Sequence, residues 1–345
     1  MSIVGAFMVP HPPLIVPEVG RGNEKQISQT ATSYKQVAKE IKKLNPETII
    51  ISSPHTTYYR DYFYISPDKT LKGNLGMFGA SNISFTEEND LELIEEIEKL
   101  AKKENFPAGR TKPSPLDHGT MVPLYFVRKE LPKTKIIVVG LSTISLVDNY
   151  KFGTIIKRAV NNLNKKVVFI ASGDLSHKLQ EYGPYGFVKE GPVYDKKIMD
   201  TMSNANFNEL LEYDLEFLNK ASECGHRSFI IMAGALDGLN VKATYLSHED
   251  VTGVGYGICT FYPENKNKER HFLEKYFEKN KSKNTKDEYV NLAIKSLSSY
   301  ITNKEHIKIP SNLPKEMLEK KAGVFVSIHK FGNLRGCRSE ERRVG

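Results

Sequence analysis

Cysteine is scarce in this chain of 345 residues, which has three, at Cys224, Cys259 and Cys337. So few and so scattered, they exclude a disulfide framework and a CxxC zinc knuckle, and reduced thiols are the default. Long apolar runs are missing as well. No stretch approaches the roughly 18 apolar residues of a membrane-spanning helix, and Met1 to Pro17 has neither the basic head nor the cleavage pattern of a secretory leader. A cytoplasmic protein with no membrane partner is expected. No GxxxxGK[ST] occurs, no GxGxxG opens a helix after a strand, and the Gly-x-Ser-x-Gly elbow of serine hydrolases is absent. The net charge of +8 is spread over helices in which Lys and Arg alternate with Asp and Glu, such as Glu87 to Glu104, so no nucleic-acid partner is expected.

What the chain does have is histidine placed after apolar β-type runs. Ser2 to Pro10 leads to His11, Thr48 to Pro54 leads to His55, and Val167 to Ser172 leads to Asp174 and His177. If these runs are parallel strands of one sheet, the side chains gather at its carboxyl edge, where open α/β sheets hold ligands. Further strands are expected at Ile136–Gly140, Val241–Ser247 and Gly255–Tyr262. Helices are expected at Ser28–Leu44, Glu87–Glu104, Val122–Glu130, Phe152–Leu163, Val193–Met202, Phe207–Asn219 and Arg227–Leu239. This alternation predicts an α/β fold with a mainly parallel sheet flanked by helices. After Pro263 the composition turns polar and charged, as a linker does, around a short helix His271–Glu278. A helix Asp287–Thr302 and a strand-like segment Gly323–His329 then read as the start of a second, α+β domain.

His11 and His55 are flanked by prolines, which restrict the backbone around each imidazole. Each alone is a routine loop histidine; as a pair at one sheet edge they suit a metal. A carboxylate is available at Glu223, at a helix start where the helix dipole also favours it, and Cys224 beside it is either a soft ligand or a small buried residue. His177 and His118 suit proton transfer or oxyanion stabilisation, with Asp174 and Asp117 near enough in sequence to orient the rings or cap helices. His248-Glu249-Asp250 is a weaker metal-ligand candidate, and Gly253-Val-Gly-Tyr-Gly257 reads as a bulge or a close backbone approach.

Five motifs together carry a resemblance: Pro10-His11-Pro12-Pro13, Ser53-Pro54-His55, Asp117-His118-Gly119, Ser172-Gly-Asp-Leu-Ser-His177, and Glu223-Cys-Gly-His-Arg-Ser228 ahead of Gly234. In this order, residues 1–262 resemble the class III extradiol ring-cleavage dioxygenases, the LigB group, and their relative Memo. Residues 263–286 form the charged linker. Residues 287–337 resemble part of an AMMECR-type domain, marked by Ala322 to His329 and Gly332 to Cys337, and residues 338–345 resemble a non-native tail. The pairing is similar to that in AmmeMemoRadiSam proteins, which implies a radical-SAM protein as partner.

The resemblance implies a non-haem Fe(II) dioxygenase acting on a small catechol-type aromatic and dioxygen. His11, His55 and Glu223 would be the metal ligands, His177 the acid/base, and His118 a hydrogen-bond donor to substrate or oxygen. The Memo relationship implies Cys224 as an alternative ligand, which favours copper or zinc, in a metal-binding redox protein; a non-catalytic partner of the radical-SAM enzyme is the third expectation. Tyr182, Tyr185 and Phe187 are candidates to line an aromatic pocket, and a homo-oligomer is compatible with the sequence.

Overall fold

The computed structural model describes residues 2–281, 287–320, 324–330 and 333–340. It divides into two units, Met1–Leu273 and Glu274–Gly345. The strands of the first are β1 (Ile3–Val9), β2 (Thr48–Ser53), β3 (Phe63–Ile65), β4 (Thr70–Leu75), β5 (Ala80–Glu88), β6 (Ala108–Arg110), β7 (Lys135–Gly140), β8 (Val167–Ser172), β9 (Leu239–Glu249) and β10 (Tyr256–Lys266). Its helices are α1 (Pro17–Gly20), α2 (Ser28–Leu44), α3 (Leu91–Lys103), α4 (His118–Glu130), α5 (Leu146–Asn162), α6 (Glu190–Ser203), α7 (Leu215–Ala221) and α8 (His226–Ala235).

Eight strands form one sheet in the order β6-β3-β7-β2-β8-β1-β10-β9. Its centre is parallel: β7 with β2, β2 with β8, and β8 with β1. The edges add antiparallel pairs, β1 with β10 and β10 with β9 on one side, β7 with β3 on the other. The central strands are buried along their length because helices cover both faces, which is why they read as continuous apolar runs. On one face Phe7, Val9, Ile49, Ile51, Val168 and Ile170 pack with Tyr34, Val37 and Ile41 of α2 and with α4. The other face carries the equally buried Met8, Ile50 and Phe169, beside α5 and α8. The mainly parallel α/β fold expected from the sequence is the fold of this unit.

Several elements depart from expectation for local reasons. The helix expected from Glu87 begins at Leu91, because Asp90 caps it by accepting a hydrogen bond from the Leu93 amide (3.3 Å), and Glu87 and Glu88 end β5 instead. β4 and β5 pair in a small separate sheet, half exposed and polar, without the apolar run that marks a buried strand. The helix expected over Phe207–Asn219 splits into a single tight turn, Phe207–Leu211, and α7, which Asp214 caps through the Phe217 amide (3.0 Å). The glycines after β9 do make a close backbone approach: a Cβ on Gly253 would lie 2.7 Å from the Gly183 Cα.

In the second unit α10 (Glu288–Asn303) is capped by Asp287, whose side chain accepts from the Tyr289 and Val290 amides. It is preceded by α9 (Phe272–Lys281), within which the unit boundary falls, and followed by α11 (Lys315–Glu319) and the antiparallel pair β11 (Val324–Lys330) and β12 (Asn333–Glu340). Arg338 to Glu340 belong to β12; residues 341–345 of the expected tail, and Ala322, Gly323 and Gly332 of the expected marks, lie outside the described residues. No helix among the described residues is long and apolar enough to cross a membrane.

Helices α5 and α8 touch backbone to backbone at paired glycines. A Cβ on Gly153 would sit 2.0 Å from the Ile231 carbonyl oxygen, and one on Gly234 2.0 Å from that of Tyr150. In an ordinary helix interior Gly→Ala stabilises by about 1 kcal/mol. Here the sign inverts: Gly153→Ala and Gly234→Ala should each destabilise by about 2–3 kcal/mol through overpacking. Thermal unfolding of the two variants checks this, and an unchanged or raised melting midpoint contradicts it.

Candidate metal centre

β8 lies between β1 and β2, and the three strands end level: Val9 pairs with Ser172, and Ala171 with Ser52. The turns that follow therefore deliver His11, His55, Asp174 and His177 to one place. The His11 turn is pinned on every side. Its amide donates to Asp174 Oδ1 (2.7 Å), the Gly173 amide donates to the Val9 carbonyl (2.9 Å), and the Tyr34 hydroxyl of α2 donates to the Pro10 carbonyl.

The protonation of the His11 ring is fixed by a proline in another element. Pro123, inside α4, has no amide hydrogen, so the Gly119 carbonyl one turn earlier loses its helical partner. The Ser172 hydroxyl supplies the missing donor, Oγ to the Gly119 oxygen at 2.5 Å. A hydroxyl has one hydrogen, and with it spent on Gly119 the Ser172 oxygen can only accept from His11 Nδ1, 2.9 Å away. His11 is thus the Nδ1–H tautomer and presents the lone pair of Nε2 to the site, the state in which imidazole binds a metal.

Around that lone pair stand His55 Nε2 at 2.9 Å, Cys224 Sγ at 3.6 Å and Asp174 Oδ2 at 3.9 Å. Two triads share His11: His11, His55 and His118 on one side, and His11, Asp174 and Cys224 on the other, with the donor atoms of each within 4.8 Å of one another. His118 opens α4, capped by Asp117 through the Thr120 amide (3.1 Å), and its ring stacks on His55 with centroids 4.1 Å apart. Asp117 also accepts from the Ser53 hydroxyl at 2.5 Å, tying the end of β2 to the start of α4. A side chain at Gly119 would meet Ser53 Oγ at 2.4 Å, so the close fit of α4 against the His55 turn needs glycine there.

Burial sets the charge states. It lowers the basicity of His11 and His55 and takes His118 and His177 down to about 4, with repulsion from His55 adding to both of the latter, so the imidazoles are neutral at pH 7. The Asp174 carboxyl is pushed up by burial to about 7, against the stabilising His11 amide, and burial holds the Cys224 thiol well above its ordinary range. Neutral nitrogen donors with a buried carboxyl and thiol beside them fit a divalent first-row metal ion, whose charge offsets the cost of ionising the acids.

Glu223 is in neither triad. Its carboxylate caps α8 instead, accepting from the His226 amide at 2.6 Å, with its acidity weakened by burial to about 7. His177 has a buried Nε2 without a hydrogen-bond partner among the described residues, and Tyr185 stacks on its ring at 5.2 Å. Tyr182, Tyr185 and Phe187 are all exposed. His248 pairs with Asp195 (2.7 Å) and Glu249 accepts from the Thr30 amide (2.6 Å), so that group does not assemble a second metal site. Ser172 opens one of the five motifs but has no assigned role in the sequence, and Pro123 is in no motif; the one signal for their pairing is a proline well inside an apolar helical run.

A family model described as the catalytic LigB subunit of aromatic ring-opening dioxygenase matches residues 5–259, and one described as AMMECR1 matches residues 290–339. The chain is 40% identical to Protein CA_C1420 of Clostridium acetobutylicum, over 98% of this chain and 75% of that protein. It is 25% identical to the 2-aminophenol 1,6-dioxygenase beta subunit of a Pseudomonas species, over 74% of this chain and 93% of the subunit. Among solved structures, the uncharacterized protein JW3007 of Escherichia coli K12 shares the fold, with a TM-score of 0.52 at 13% identity, covering 74% of this chain and 99% of that one. With its level histidine turns on a mainly parallel sheet and a family match across most of its length, the chain belongs to the LigB family of ring-opening dioxygenase catalytic subunits, joined to an AMMECR1 segment.

Proposed function

We propose that the chain is a metal-dependent oxidoreductase of the dioxygenase type, using non-haem Fe(II) to open a catechol-type or aminophenol-type ring. The observation that carries this reading is the shared His11 lone pair, with a second imidazole on one side and a carboxyl on the other. His11 and His55 would hold the iron, and Asp174 would supply the carboxylate, with Oδ1 engaged by the His11 amide and Oδ2 turned toward Nε2. Two His and one carboxylate leave open positions on Fe(II), and the bound ion would supply Lewis acidity and one-electron chemistry.

The chain's own residues handle the proton and the ring. His177 is neutral at pH 7 with an unpartnered, buried Nε2, so it can accept the proton of a substrate hydroxyl and hold it as imidazolium. Tyr185, stacked on His177, and Phe78, edge-on to His118 at 5.3 Å, provide aromatic surface on two sides of the site. The 25% sequence identity to a 2-aminophenol dioxygenase subunit supports the same reaction class.

A second reading, a thiolate-ligated copper redox centre, is favoured by one observation: Cys224 Sγ faces His11 Nε2 at 3.6 Å while accepting the Asp174 amide at 3.2 Å. Metal affinity measured anaerobically separates the two. On the first reading Asp174→Asn weakens Fe(II) binding about 10-fold or more, whereas Glu223→Gln leaves it unchanged. Loss of Fe(II) with Glu223→Gln alone contradicts the assignment of the carboxylate. Copper retained by the wild type and lost with Cys224→Ser, together with no Fe(II) binding, selects the second reading.

Activity is tested by oxygen uptake of the Fe(II)-loaded protein with a panel of catechols and 2-aminophenols. His177→Asn should lower kcat by about 100-fold or more with iron content unchanged, the scale of a lost general base. Stoichiometric iron with no oxygen uptake on any ring substrate contradicts the proposed reaction.

A further inference from the structure

A second pocket opens at the other end of β1, by Ser2 and Ile3, a strand length of roughly 20 Å from His11. Its volume is about 700 Å³, within the usual range for small-molecule sites. Lys157, Lys266, Lys268 and His271 line it, and among the described residues no carboxylate does.

Two of these groups are held in place from behind by Asp237. The Lys157 ammonium donates to the Asp237 carbonyl, and His271 Nδ1 lies 2.9 Å from Asp237 Oδ2. The other carboxylate oxygen is taken by the Tyr150 hydroxyl (2.7 Å) and the Phe272 amide (2.9 Å). The His271 ring lies against Gly238, where a Cβ would meet it at 2.4 Å and where φ is +70°, so glycine is needed on both counts. Lys266 and Lys268 form no ion pair among the described residues; burial lowers the Lys157 ammonium below its usual range, with the Asp237 carboxylate opposing the shift and the Lys266 charge adding to it. Three ammonium groups around one concavity, two of them exposed, give it a positive field that favours an anion.

We propose that this pocket binds a phosphorylated small molecule. Lysine ammonium groups act as point charges suited to a multiply charged tetrahedral group, the lining contains no guanidinium fork to select a planar carboxylate, and the volume leaves room for more than phosphate itself. The site is separate from the histidine cluster, and its test does not depend on what that cluster does.

The test is calorimetric titration of the full chain, treated with EDTA and in phosphate-free buffer, with inorganic pyrophosphate. Saturable one-site binding is expected, weakened about tenfold or more by Lys157→Gln and by the double variant Lys266→Gln/Lys268→Gln, in line with the loss of charge-assisted hydrogen bonds. Lys102→Gln/Lys103→Gln, which removes the same charge from the exposed end of α3, should leave it unchanged. Lys157 also ties down the Asp237 carbonyl, so the exposed double variant keeps the test decisive if Lys157→Gln does not fold. Absence of saturable binding, equal affinity in wild type and the Lys266/Lys268 variant, or an equal loss in the α3 control overturns the proposal.

Discussion

One missing hydrogen governs the site. Because Pro123 cannot donate to the Gly119 carbonyl, the Ser172 hydroxyl does, and the single hydrogen of that hydroxyl then determines which nitrogen of His11 carries its proton. A helix defect that would ordinarily cost about 3 kcal/mol is offset by a bond to the end of a central strand. The same bond locks α4, which carries His118, against the end of β8, whose following turn carries Asp174 and His177. Remove the proline's constraint and the serine is free to donate to His11 Nδ1, which would return the proton to Nε2 and block the lone pair that faces His55, Cys224 and Asp174.

The fold makes this possible through register. Three adjacent parallel strands end within a residue of one another, so short turns with little freedom place the donor atoms. Those turns are fastened by their own backbone, by Asp174 and Tyr34 for His11 and by Ser53 with Asp117 for His55. Burial in this fixed arrangement keeps the imidazoles neutral, raises the Asp174 carboxyl to about 7 and holds the Cys224 thiol well above its ordinary range, a set of groups poised to exchange protons for a cation. The cost of burying these groups is met by the cores on both faces of the sheet and by the glycine-to-glycine packing of α5 on α8.

Much of this was legible in the sequence where a single physical signal dominates. Apolar runs buried on both faces gave β1, β2 and β8 nearly to the residue, and the 3.6-residue period gave α2 from Ser28 to Leu44. The polar hairpin β4–β5 was not legible, since neither of its faces is fully buried and its alternation is diluted by charge. Glu223 was the natural choice of carboxylate by its neighbours in sequence, yet its place just before α8 turns its carboxylate back to cap the His226 amide, and the adjacent Cys224 is the one that faces His11. Cys224 is the alternative ligand that the Memo resemblance implies, and the directions in which these two consecutive residues point on the way into a helix are not encoded by residue type alone. The role of Ser172 is a matter of hydrogen-bond bookkeeping between α4 and β8 and needs the third dimension.

The most direct test of this account is the tautomer of His11, read from ¹⁵N NMR of histidine-labelled protein before and after zinc is added, with the resonance assigned by its loss in His11→Ala. The account predicts a proton on Nδ1 in both states and a large shift confined to Nε2 when the metal binds. A proton on Nε2 in the metal-free protein, or a metal-dependent shift at Nδ1 instead, would contradict it.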